Sequence, residues 1–137
     1  MAVTGATSAV SADVAYGQIT TDVTVSEKVA VNTSETEAIV REYFADIPVM
    51  IQVARCESTF RHTLSDGSVL TGRVDNADTG VMQINKRYHL SAATKLGLDL
   101  HDIYDNMAYA RYLYEKQGTQ PWSASSACWG NTLAYNG

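Results

Sequence analysis

Residues 46–60 read DIPVMIQVARCESTF, and this stretch decides the fold. Asp46 is a residue type that caps helices, and Pro48 falls in a first turn where no backbone donor is needed. The pattern predicts a helix from about Ile47 to Ser58. Met50, Val53 and Ala54 recur at helical spacing and form one apolar stripe. The next position on that stripe is Glu57. A carboxylate is thus aimed along an apolar face at the end of its helix. Burial disfavours its charged form, and the partial negative charge of a helix C-terminus acts in the same direction. Both raise the pKa, as a general acid working near neutrality requires. The competing reading of the same position is a glutamate turned to solvent at a frayed helix end.

Working outward, Ser34 and Glu37 have the spacing of a capping box. Ile39, Val40, Tyr43 and Phe44 follow at helical spacing, and Ile47-Pro48 interrupts that helix. Downstream, Arg61–Leu64 and Val69–Arg73 flank the turn Ser65-Asp66-Gly67-Ser68, which predicts a small β-hairpin. Residues 74–80 read as loop, and Val81–Asn85 opens a compact apolar stretch. Ser91–Leu96 predicts a short helix stopped by Gly97. Asp105 is the expected cap of a further helix with Met107, Ala110, Leu113 and Tyr114 on one face and Gly118 past its end. The fold class is α+β and mostly helical. Residues 1–33 form a separate N-terminal extension of small residues without Trp, Phe or Leu. Its stretch Thr21–Val31 alternates loosely, as a strand or a disordered lead-in would. The folded domain is expected over 34–137.

The composition suits one globular domain: 137 residues, 45% apolar and 18% charged. The net charge is −5, and most of it sits in residues 1–37, where five acids accompany the single base Lys28. No basic face is expected, which disfavours nucleic acid as a partner. No run of 18 apolar residues exists to span a membrane. The first Lys or Arg is Lys28, so the basic start of a signal peptide is missing; if the protein is exported, its signal has been removed. The two cysteines, Cys56 and Cys128, read as separate buried thiols in a cytosolic chain or as a disulfide in an exported one. His62, His89 and His101 lack close-pair ligand spacing, so neither a metal nor another cofactor is expected.

Ala54-Arg55-Cys56-Glu57-Ser58-Thr59-Phe60 resembles the Glu-Ser-x-Phe motif of lysozyme-like soluble lytic transglycosylases. Gly80-Val81-Met82-Gln83-Ile84-Asn85 resembles the Gly-Leu-Met-Gln segment of that family, and through Lys86-Arg87-Tyr88-His89 it is similar to goose-type lysozymes. Asn106 to Leu113 resembles the family's next helix, and Ala134-Tyr135-Asn136 its Ala-Tyr-Asn motif. Cys56-Glu57, and Pro121-Trp122 through Cys128-Trp129, are similar to resuscitation-promoting-factor domains. The resemblance covers about residues 36–137.

The resemblance implies a lysozyme-like fold with a small β-hairpin and cleavage of the β-1,4 bond between N-acetylmuramic acid and N-acetylglucosamine in peptidoglycan. Glu57 would be the general acid and base, and the glycan strand the partner. It implies a Cys56–Cys128 disulfide and an exported protein, periplasmic, cell-wall-bound or extracellular. Most glycosidases use a second carboxylate; lytic transglycosylases let the muramic acid's own C6 hydroxyl attack, giving a 1,6-anhydro product. Asp75 and Asp78 are the candidates for a second carboxylate, with a polar turn as the alternative for both. Goose-type lysozymes carry a second aspartate just after Met-Gln, where this chain has Asn85. That favours the transglycosylase over a goose-type-like muramidase. Gly80, Met82, Gln83, Tyr135 and Asn136 are the expected glycan-binding residues: Gly80 for close approach of backbone, Met82 as an apolar wall, Gln83 for an N-acetyl group. Trp122 and Trp129 are expected to anchor the core. A non-catalytic peptidoglycan-binding module is the alternative from another class.

Overall fold

The computed structural model describes residues 33–136, so the expectations for residues 1–32 lie outside the described part. The described chain is mostly helical with one two-stranded antiparallel sheet. Helix α1 spans Thr33–Tyr43 and buries Thr36 and Val40. After Phe44, which is fully buried, the chain turns into α2, Pro48–Ser58. Proline stands in the first turn, as the sequence predicts, but the cap residue is Ile47 and makes no side-chain cap bond. Asp46 is diverted: Arg111 donates to both its oxygens, at 2.9 and 3.0 Å, and to the Tyr43 carbonyl at 2.8 Å. A bidentate, charge-assisted pair is stronger than one cap bond, and it ties a later helix to the α1–α2 corner.

Met50, Val53 and Ala54 have no solvent exposure, so the apolar stripe of α2 is the core face. The helix ends abruptly, because Thr59 and Phe60 both take positive φ, 51° and 59°. The Thr59 N–H returns to the Arg55 carbonyl at 2.9 Å. The chain therefore reverses directly after Glu57 and Ser58.

The predicted turn at 65–68 forms, with the Leu64 N–H on the Ser68 carbonyl and the Gly67 N–H on the Leu64 carbonyl. Its expected strands do not. Thr63 pairs with Val69 in one isolated bridge, and Thr71 pairs onward with Thr79. Few side chains in this stretch reach the core, so little packing extends the ladder. The regular strands are β1, Asp78–Thr79, and β2, Ile84–Asn85, with Asp78 opposite Asn85 and Thr79 opposite Ile84.

Helix α3 is Lys86–Lys95, five residues earlier than the predicted start at Ser91. Asn85 is its cap, its side chain accepting from the Arg87 N–H, and Ala93 is its only buried residue. A helix so exposed has weak periodicity, which hides its first turn from pattern reading. Helix α4 is Ile103–Gln117 and is capped by Asp102, not Asp105; the Asp102 carboxylate accepts from the Asp105 N–H. Asp105 instead accepts from the Asp99 N–H at 2.9 Å. Met107, Ala110 and Leu113 are buried, as expected, and Gly118 follows the helix end at φ 63°. A 3-10 turn, Gln120–Ser125, leads into α5, Ser126–Asn136.

Trp122 and Trp129 are 3% and 8% exposed and belong to the core formed by α1, α2 and α4, as expected of them. Helix α2 packs on α5 and on the 3-10 turn, and a Cys56–Cys128 disulfide joins α2 to α5. Among the described residues no helix is long and apolar enough to cross a membrane.

One buried histidine supports the segment between β1 and β2. His62 donates from Nε2 to the His101 carbonyl at 2.7 Å and accepts the Val81 N–H on Nδ1 at 2.9 Å. Both ring nitrogens are used, so the ring is held neutral, and burial lowers its pKa below 6.5. A depressed basic pKa means that the unfolded chain binds the proton first. Its contribution to stability is therefore present above pH 6.5 and is lost as the pH falls through the lower folded value. Denaturation midpoints should fall from pH 7.5 to pH 5, measured in the Glu57→Gln protein so that no opposing carboxyl titrates at 57. A His62 ring that titrates at or above 6.5 by NMR would contradict this account.

Candidate active site

The residue that the sequence singles out occupies the last turn of α2, at the wall of a cleft of about 370 Å³. Glu57 shares this cleft with Asp78, Gln83 and Asn85 from the β1–β2 region, Tyr88 and His89 from α3, and Trp122 from the 3-10 turn. The Glu57 carboxyl is half-buried, because the apolar stripe that precedes it draws the helix end inward. Its Oε2 accepts the Ser125 hydroxyl at 2.7 Å. Burial raises its pKa, the Ser125 hydrogen bond opposes part of that rise, and the nearby Asp78 charge adds to it. Burial is the largest of the three, so the net direction is upward, as the apolar stripe suggests.

The two candidate second carboxylates part company. Asp75 receives both Arg87 guanidinium nitrogens, at 2.7 and 3.0 Å, the Ala77 N–H and the Asn85 amide. These donors, Arg87 first, hold its carboxyl far below the usual carboxylate range. It clasps its loop to α3 and does not line the cleft. Asp78 does line it, opposite Asn85 across the sheet. The Asn85 amide donates to Asp78 at 2.9 Å and to Asp75 at 3.0 Å, while its oxygen accepts the Arg87 N–H. One amide thus bridges two carboxylates and caps a helix. A carboxylate at 85 would offer no proton to either and would add a third negative charge.

Gln83 lines the cleft, with φ 51° and its Nε2 donating to the Gly80 carbonyl at 2.9 Å. That bond fixes the amide and leaves its oxygen as an acceptor. Gly80 and Met82 stand behind the wall rather than on it. A Cβ at Gly80 would lie 2.5 Å from Asn106 Nδ2 and 2.7 Å from the His62 ring, so the missing side chain serves inward packing. Met82 is fully buried; its N–H donates to Asn106 Oδ1 and its carbonyl accepts Trp122 Nε1–H, both at 2.9 Å. Asn106 completes this support by donating to the Thr79 and Leu100 carbonyls. Tyr135 and Asn136 belong to the last turn of α5, and their side chains lie outside the described part.

Ser125 touches Glu57 and carries no signal of its own in the sequence, whereas Tyr88 and His89, which line the cleft, enter the sequence reading of the site only within the stretch similar to goose-type lysozymes. Ser125 lies in a run of small residues, and nothing in its spacing ties it to Glu57, 68 positions earlier. Tyr88, 74% exposed, stands at the mouth. His89 lines the cleft with Nδ1 3.0 Å from the Tyr109 hydroxyl, and burial lowers its pKa. Among the described residues no group of three His, Cys, Asp or Glu is placed to hold a metal ion. No protein-family model, curated protein or solved structure matches the chain.

Proposed function

We propose that the chain cleaves the β-1,4 bond between N-acetylmuramic acid and N-acetylglucosamine in peptidoglycan, as a lytic transglycosylase with a lysozyme-like fold. The observation that carries this reading is the half-buried Glu57 carboxyl, facing a cleft and raised in pKa. Protonated Glu57 gives its proton to the glycosidic oxygen as the bond from that oxygen to the anomeric carbon breaks. The C6 hydroxyl of the same sugar then bonds to the anomeric carbon and returns its proton to Glu57, closing a 1,6-anhydro ring. A nucleophile tethered to the reacting sugar needs no second group to bring it in. The disulfide supports an exported protein, since such bonds persist in oxidising compartments.

Asp75 is unsuited to be a base, since its oxygens are occupied and its proton affinity is low. Asp78 favours a second reading, a muramidase in which it activates water, because it shares the cleft with Glu57. Under the transglycosylase reading, Asp75→Asn and Asp78→Asn each keep kcat within about tenfold. Losing a true general base costs roughly 100-fold or more. Asp78→Asn also moves the basic limb of the pH profile down, since the Asp78 charge helps to raise the Glu57 pKa. A hundredfold loss in Asp78→Asn alone would favour the muramidase. The overall reading is tested by incubating the protein with purified cell-wall sacculi. Loss of turbidity supports cleavage; pelleting with the walls without clearing supports a binding module.

A further inference from the structure

Ser125 stands where the 3-10 turn meets α5, and its hydroxyl has three neighbours. Glu57 Oε2 is 2.7 Å away, the Trp122 carbonyl is 3.1 Å away, and Trp129 Nε1 donates to Oγ at 3.0 Å. A hydroxyl has one proton to give. The one Trp129 Nε1–H is shared between Oγ at 3.0 Å and the Trp122 carbonyl at 3.2 Å, with Oγ the nearer acceptor. The shorter bond, to the carboxyl, therefore takes the hydroxyl proton, and the indole N–H occupies a lone pair of Oγ. A one-way chain results, from Trp129 Nε1–H through Ser125 Oγ–H to Glu57 Oε2, in which each bond polarises the next. Its anchor is firm: Trp129 is buried, and the Cys56–Cys128 disulfide links a neighbour of Glu57 to a neighbour of Trp129.

We infer that the Trp129–Ser125 chain is a positioning device that fixes Glu57 Oε2 as a permanent acceptor, so that Oε1, the other oxygen, carries the acidic proton into the cleft. Among the described residues Ser125 is the only hydrogen-bond partner of the carboxyl. When Oε1 gives up its proton, the new charge meets a hydroxyl already aimed at it, and nothing has to reorient. When Oε1 takes a proton back, Oε2 remains an acceptor. The value of this device to catalysis rests on the reading of Glu57 as acid and base, but its effect on the carboxyl is measurable without substrate. The titratable groups that share the cleft with Glu57 are Asp78, Tyr88 and His89. The 3-10 turn and the described side chains of α5 bring none.

The test is the substrate-free titration of the Glu57 side-chain carboxyl carbon by NMR in the parent, Ser125→Ala and Ser125→Thr proteins. A hydrogen bond to a charged carboxylate is stronger than one to its neutral form. Ser125→Ala should therefore raise the Glu57 midpoint by about one pH unit, and Ser125→Thr, which keeps the hydroxyl, should stay near the parent. On sacculi, Ser125→Ala should lower kcat more than it changes KM and move the basic limb up with the NMR midpoint. In the parent protein the Trp129 indole proton should titrate at the Glu57 midpoint, and in Glu57→Gln it should not. This last comparison decides the matter if Ser125→Ala does not fold. An unchanged Glu57 midpoint in folded Ser125→Ala, or an indole signal that ignores Glu57, overturns the inference. Shifted midpoints without any wall cleavage would uphold the chain and overturn the proposed function.

Discussion

Glu57→Gln is expected to abolish wall cleavage, leaving less than a few per cent of the parent rate, and to stabilise the folded protein at neutral pH. Gln keeps the shape and the acceptor that Ser125 needs but has no proton to transfer. The stability effect follows from the direction of the pKa. The folded value of Glu57 is raised above 4.5, chiefly by burial. The native state therefore holds the proton more tightly than the unfolded chain does, and the carboxyl becomes a liability as the pH rises through the raised folded value. The melting temperature of Glu57→Gln should exceed that of the parent at pH 7, and the difference should vanish towards pH 4. A mutant that is both active and no more stable would place Glu57 on an ordinary solvated helix end. Loss of activity with a gain of stability is the signature of a group held in an unfavourable state for chemistry.

The second large effect is the removal of the Cys56–Cys128 bond. The bridge joins residues 72 apart and leaves no free cysteine among the described residues. Closing a loop of that length contributes about 4 kcal/mol by restricting the unfolded chain. For a domain of about a hundred residues this corresponds to roughly 15–25 °C in melting temperature. The Cys56→Ser/Cys128→Ser protein should melt lower by that order. Its activity should also fall below its melting point, because α5 and the 3-10 turn carry the Ser125 contact to Glu57. Intact mass with and without denaturing reduction and alkylation reads the bond directly. Two free thiols in oxidised material, or an unchanged melting temperature, would contradict this account.

The sequence made some of this architecture legible and concealed the rest for physical reasons. The α2 stripe was readable because Met50, Val53 and Ala54 obey one local period, which Glu57 and the buried Ser58 continue at the helix end. Gly97 and Gly118 were readable as stops because both follow helix ends at positive φ, 77° and 63°. The caps were readable only in part. Asp46 and Asp105 have the right residue type, but distant groups compete for them, Arg111 for the first and the Asp99 N–H for the second. The predicted hairpin kept its turn and lost its strands, because strand extent is set by packing rather than by turn chemistry. At the site, Asp75 and Asp78 are indistinguishable by type and by loop position. Only the fold brings Arg87 onto one of them and leaves the other facing Glu57. Gly80 was readable as a position without a side chain, but not as one whose missing Cβ makes room for His62 and Asn106. Ser125 had no local signal, since it meets Glu57 through a long-range contact of α2 with the 3-10 turn.

The central claim, that Glu57 cleaves the glycan by internal attack, is tested most directly by digesting purified sacculi in heavy-oxygen water and weighing the soluble muropeptides. The account predicts new muramic acid ends that are one water lighter than reducing ends and carry no heavy oxygen. Reducing ends that carry heavy oxygen in most products would mean that water is the nucleophile, and a folded protein that releases no muropeptides would contradict the claim outright.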